Sequence, residues 1–142
     1  MVQRPQTFGS DCRGTAVIEF AILTPVFLLM ITGMLAYGIY FGAAHSLQQL
    51  AADAVRVSIS GLSSAERDGL VGAYLDRHAG VYLLIDPARL RHELGAHPDD
   101  ADQYRLVLRY DASDLPIWNL YPPLPLPDQN IVIGATIRRG GL

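Results

Sequence analysis

Residues 13–44 read RGTAVIEFAILTPVFLLMITGMLAYGIYFGAA, and the rest of the chain takes its meaning from them. From residue 20 to residue 44 there is no charged side chain. At about 1.5 Å of rise per residue, a helix over that run reaches roughly 37 Å, against a bilayer hydrocarbon core of about 30 Å. A helix in a soluble core has little use for so long an unbroken apolar surface. The stretch predicts a membrane span, with a single carboxylate, Glu19, at its entrance.

The flanks suggest an orientation. Arg4 and Arg13 precede the span against one acid, Asp11, and the first basic residue on the far side is Arg56. Positive charge is retained on the cytoplasmic side, so the amino terminus is expected inside and the carboxyl part outside. A secretory signal cleaved near Gly42-Ala43-Ala44 is the rival, but its apolar region normally runs about 7–15 residues and this one is far longer. Within the span, Pro25 lacks a backbone donor and crowds the carbonyl four residues earlier, which predicts a kink or local melting. Membrane helices also tolerate proline with no such role. Gly38 and Gly42 form a Gly-x-x-x-Gly pair that Ser46 extends, a small-residue face suited to close helix approach in lipid.

The entrance carries a more specific pattern. Four residues separate Gly14 from Glu19, Phe20 follows, and Pro25 stands six residues beyond the glutamate. This arrangement resembles the processing site of type IV pilins and pseudopilins, and with its proline it is similar to the TadE-like minor pseudopilins of tight-adherence (Tad) pilus systems. The resemblance implies that a prepilin peptidase cuts after Gly14, leaving Thr15 as the new amino terminus. It implies that Glu19, followed by Phe20, sets subunit register by neutralising the Thr15 amine of a neighbouring subunit. It also implies sibling minor pilins and an inner-membrane assembly platform as partners, and a place in the inner membrane or at the pilus. The alternative is a single-pass anchor that keeps its leader and serves an unrelated envelope complex.

Beyond the span the apolar residues keep a helical spacing. Leu47, Leu50, Ala51, Ala54, Val55 and Ile59 fall on one side, while Gln48, Gln49, Asp53 and Arg56 face water. One helix is therefore expected to continue to a stop at Gly61, with Asp53 and Arg56 paired on its surface. Ser63-Ser64-Ala65-Glu66 reads as a capping box for a second helix that ends near Gly80, with Leu70, Val71, Tyr74, Leu75 and His78 on its inner side. Residues 81–85 read as a buried strand, and Asp86-Pro87 as the start of a short helix ending at Gly95. Residues 97–103, with Asp99, Asp100 and Asp102, read as a solvated loop. The alternation at residues 104–111 puts Tyr104, Leu106, Leu108 and Tyr110 on one face of a strand. Residues 114–129 hold five prolines and predict a rigid extended crossing loop over a sheet, with a docking ligand for an aromatic groove as the alternative. Residues 130–139 return to strand, with Ile131, Ile133, Ala135 and Ile137 inward and antiparallel to the first. This layout also resembles, more loosely, the carboxyl half of TadE-like proteins.

The fold class expected is α+β: a long amino-terminal helix running into a small domain with a short antiparallel sheet and one or two further helices. The divisions are a leader at 1–14, the transmembrane part of the helix at 15–44, its amphipathic extension at 45–61 and an extracytoplasmic domain at 62–142. The eleven basic residues are all arginine, lie scattered along the sequence and leave a net charge of −3, so a nucleic-acid partner is not expected. The single cysteine, Cys12, precedes the expected cut, so no internal disulfide can form. His92 and His97 are five apart with Gly95 between them, which is not the spacing of a helical zinc pair. No metal, cofactor or catalytic constellation is read from the chain, and an enzyme is not expected.

Overall fold

The apolar run and the amphipathic stretch after it form one helix, α1, over Cys12–Val57. At about 1.5 Å per residue it is roughly 69 Å long. The computed structural model describes residues 12–120 and 124–138. The first eleven residues of the expected leader, Tyr121-Pro122-Pro123 of the proline segment and Arg139 lie outside that range.

Two halves of α1 meet different surroundings. Over residues 15–35 large apolar side chains such as Phe20, Phe27 and Met34 stand exposed. From Ala36 onwards a stripe is buried: Ala36, Ala43, Leu47, Leu50, Ala51 and Ala54 recur every three, four or seven residues. Four of these are alanines, so other elements can approach the helix axis closely. The expected inner face is thus in place except for Ile59, which lies exposed in the 3-10 turn Ser58–Ser60 that ends the helix. Asp53 and Arg56 pair on the surface at 3.2 Å.

Gly61 stops the helix, though in extended rather than left-handed backbone, with φ −76° and ψ 137°. Its reason for being glycine is crowding. A Cβ there would stand 2.6 Å from Arg67 Cγ and 2.9 Å from Arg67 N. The second helix, α2, spans Ser64–His78. Ser63 Oγ accepts from the Glu66 N–H at 3.2 Å, and the Glu66 carboxylate reaches one residue past its expected partner to accept from Leu62 N–H at 2.8 Å. Val71 and Leu75 are buried beneath it, with Leu70, Tyr74 and His78 half-buried beside them.

Residues 81–95 depart from expectation twice. The strand read at residues 81–85 is instead a 3-10 turn, Ala79–Val81, followed by an irregular turn. Only Ile85 of that run is buried, while Val81 and Leu83 point outward. An apolar run alone cannot distinguish a buried strand from a turn lying on another surface. The helix read from Asp86 to Gly95 is a 3-10 turn, Pro87–Arg89, that leads directly into strand β1, Leu90–His97. Asp86 does cap that turn, accepting from Ala88 N–H at 2.9 Å. Leu90 and Leu94 fit either a helical spacing of four or an alternation through His92. Pairing with the neighbouring strand decides for the alternation, since tertiary context overrides local propensity.

Strand β2, Asp100–Asp111, begins earlier than expected, so the loop at residues 97–103 shrinks to a tight connection with a register shift at Ala96/His97. The third strand, β3, covers Asn130–Arg138. The sheet is an antiparallel meander in the order β1-β2-β3, with Leu108 opposite His92 on one side and Ile133 on the other. Its inner face carries Tyr104, Leu106, Leu108, Tyr110 and Ile131 and packs on the second half of α1 and on α2. The α+β architecture expected from the pattern is the one observed.

The crossing segment between β2 and β3 closes on itself. Ala112 N–H donates to Gln129 O at 2.8 Å, and Trp118 Nε1 donates to Ala112 O at 2.6 Å. Leu115 and Ile117 are buried inside the loop so formed. Arg89 ties its base to the turn before β1, lying 3.7, 3.4 and 3.6 Å from Asp86, Asp111 and Asp114 respectively.

Candidate functional site

The residues singled out in the sequence lie along α1. The Gly14–Thr15 peptide bond falls in its first turn, which begins at Cys12. Glu19 and Phe20 are exposed on the same helix one to two turns further on. The Glu19 side chain is exposed, so its carboxylate is presented outward. Pro25 stands inside the helix, which continues through it. The hydroxyls of Thr24 and Thr32 donate back to Phe20 O at 2.6 Å and Leu28 O at 2.8 Å. Polar side chains satisfied by their own helix in this way are compatible with lipid on all sides.

The two glycines of the Gly-x-x-x-Gly pair meet different neighbours. Among the described residues a Cβ at Gly38 would find nothing within 4 Å, whereas one at Gly42 would stand 3.2 Å from Leu84 Cδ1 of the turn after α2. Ser46 Oγ donates to Gly42 O at 2.9 Å. The Gly42 face is therefore occupied by the chain's own domain, and Gly38 is left open.

The proline-rich segment was expected to cover the sheet. Residues 124–128 lie against α1 instead. Leu124 Cδ2 is 3.9 Å from the Cβ position of Gly33, Tyr37 Oη donates to Pro125 O, and Tyr40 Oη donates to Asp128 O at 3.3 Å. Nothing in the local sequence announces this partner, because tyrosine spacing on α1 and prolines some ninety positions later meet only through the fold.

The sheet's outer face gathers what the sequence scatters. Arg91 and Arg109 are direct cross-strand partners, and Arg105 and Arg138 project from the same exposed face, with Glu93 3.5 Å from Arg109. Like charges placed opposite each other oppose strand pairing slightly. The period-two alternation of β2 was the signal for Arg105 and Arg109; Arg91 needed the strand that sequence reading took for a helix.

Several other polar residues have partners within the domain. His92 Nε2 is 3.3 Å from Asp68, His78 Nδ1 is 2.8 Å from Tyr74 O, and the His78 ring stacks on Tyr74 at 4.1 Å. The Asp100 carboxylate accepts from Asp102 N–H and Gln103 Nε2, which, with nearby Arg138 and His97, hold its pKa below the ordinary carboxyl value. These acids thus shape a turn. Among the described residues no group of three or more His, Cys, Asp or Glu side chains is placed to hold a metal ion.

Comparison with known proteins follows the same segment. Residues 14–56 match the family model described as TadE-like protein, which bears out the resemblance carried by Gly14, Glu19 and Pro25. The match runs nearly the length of α1 and does not reach the strands read as similar to a TadE-like carboxyl half. No curated protein and no solved structure matches the chain.

Proposed function

From an amino-terminal segment that matches TadE-like proteins and is borne on a helix apolar enough to cross a membrane, we propose that this chain is a minor pseudopilin that helps assemble or prime a Tad pilus. In this reading a prepilin peptidase removes residues 1–14, and the freed Thr15 amine and Glu19 serve subunit register. Sibling minor pilins and the inner-membrane assembly platform are its partners. The protein sits in the inner membrane with its leader in the cytoplasm and its sheet outside, and catalyses nothing itself. The observation that carries the proposal is the match over residues 14–56, which begins at the glycine after which the cut is expected.

The position of the cut on α1 is compatible with proteolysis. A helix leaves its first four N–H groups without intrahelical partners, so its first turn unwinds at low cost. Extended backbone at Gly14 would also offer a protease no side chain to avoid. Co-expression with the matching prepilin peptidase is expected to yield a chain that starts at Thr15, and replacing Gly14 with a bulky residue is expected to prevent the shortening. An unchanged mass beside an active peptidase would overturn the reading and favour the unprocessed anchor.

A further inference from the structure

The turn at residues 81–85 and the extended segment at residues 124–127 reach α1 along one stretch between Gly33 and Gly42, about 14 Å of helix. Leu84 lies against Gly42, while Leu124, Pro125 and Asp128 lie against Gly33, Tyr37 and Tyr40. Counted from Phe20, Tyr40 stands about 30 Å along the helix and Gly42 about 33 Å, so a hydrocarbon core of about 30 Å that begins beyond Glu19 ends at this level. Tyrosines are favoured at the membrane–water boundary because an apolar ring ends in a hydroxyl.

Both segments have the chemistry of that boundary. Neither contains a charge, and the first charged residues on leaving them are Asp86 and Asp128. Val81 and Leu83 are 77% and 98% exposed. Lipid-facing backbone must have its polar groups satisfied. Pro125 and Pro127 have no N–H to satisfy, and the Pro125 carbonyl accepts from Tyr37 Oη. In the turn, Tyr82 N–H donates to Ala79 O, Ile85 N–H donates to Tyr82 O, and Leu84 O accepts from Tyr110 Oη at 3.2 Å. Such a surface continues the exposed apolar surface of residues 15–35 outward from the helix.

We propose that residues 81–83 and 124–127 form an apolar collar that seats the domain in the lipid interface at the end of the span remote from Glu19. The proposal rests on α1 being a membrane span. Its occupant is the acyl–headgroup boundary of one leaflet, because the collar is continuous with the lipid-facing helix and its outer end, at Tyr40 and Gly42, stands where that boundary must fall.

The test uses the full chain with Cys12→Ser, reconstituted in vesicles of phosphatidylethanolamine and phosphatidylglycerol. Single cysteines replace Leu83, Val81, Leu28 or Leu62 and carry a polarity-sensitive fluorophore. Leu62 is the matched control: it is 92% exposed and apolar, but stands at the far end of the domain. The fluorophore at Leu83→Cys and Val81→Cys is expected to be blue-shifted, quenched by lipids bearing a shallow nitroxide and protected from an aqueous quencher. At Leu62→Cys it should behave oppositely. Aqueous quenching at Leu83 and Val81 equal to that at Leu62 overturns the collar while leaving the span intact. Protection there from both quenchers means a second protein copy covers the site and also overturns it. Aqueous quenching at Leu28→Cys overturns the span and the collar together.

Discussion

Glu19 is the only formally charged side chain between Arg13 and His45, and it is exposed on a helix that is otherwise apolar there. At the bilayer centre a carboxylate costs about 2.5–3.5 kcal/mol to insert, and less near an edge. If it exists to meet a neighbour's amine, Glu19→Ala should insert and be processed normally, because alanine is easily held in lipid. The Thr15 amine would then lie without its counter-charge in an apolar interface. Removing one partner of a buried pair costs about 3–5 kcal/mol, so co-purification with sibling pilins should weaken by about two to four decades. Glu19→Asp, one methylene shorter, should fall between the two. Normal co-purification by the alanine variant would leave Glu19 as a boundary charge.

Among the elements, the turn at residues 81–85 depends most on a single side chain from elsewhere. Tyr110 of β2 donates its hydroxyl to Leu84 O and accepts from Asp86 N–H, both at 3.2 Å. Tyr110→Phe leaves those two backbone groups without their partner, a loss of about 1–3 kcal/mol. Burial pushes the Tyr110 pKa above its ordinary value of 10.0, against the pull of the Asp86 N–H. The folded state therefore holds this proton more tightly than the unfolded state. Its contribution is complete below pH 10 and disappears as pH rises through the folded-state value. Denaturant unfolding in detergent should show Tyr110→Phe less stable than the parent at neutral pH, with a smaller further loss in alkali. At the other extreme, Ser113 and Arg89 hold the Asp111 carboxyl below its ordinary 3.8. That contribution is present above 3.8 and is lost as pH falls through the folded-state value.

The helix and the domain are one folding unit, because α1 supplies a wall of the core. Leu47, Leu50, Ala51 and Ala54 are fully buried against α2 and the sheet. Without that wall the inner sheet face, with Leu106 and Leu108, would face water. At about 25 cal/mol per Å² of exposed apolar surface, such a loss exceeds what a domain of this size can bear. A fragment of residues 36–142 is therefore expected to give dispersed amide resonances and a cooperative melt. A fragment of residues 62–142 is expected to give neither. A folded 62–142 fragment would show that the sheet and α2 are self-sufficient.

What the sequence determined by itself was everything that repeats along one element. The charge-free run from residue 20 to residue 44 specified the long helix, the three-and-four spacing after it specified the buried stripe, and strict alternation specified β2 and β3. The Gly14, Glu19 and Pro25 pattern was equally local, which is why the resemblance it carries agrees with the match over residues 14–56. Tertiary structure alone decided residues 81–97, where Leu90 and Leu94 satisfy both periods and an apolar run turned out to lie on α1 through Leu84. It also decided where the proline segment goes and which arginines share a face. The physical reason is the same in each case. Periodicity records which side of an element is buried, but the partner that buries it is a long-range choice made by the packing of the whole chain.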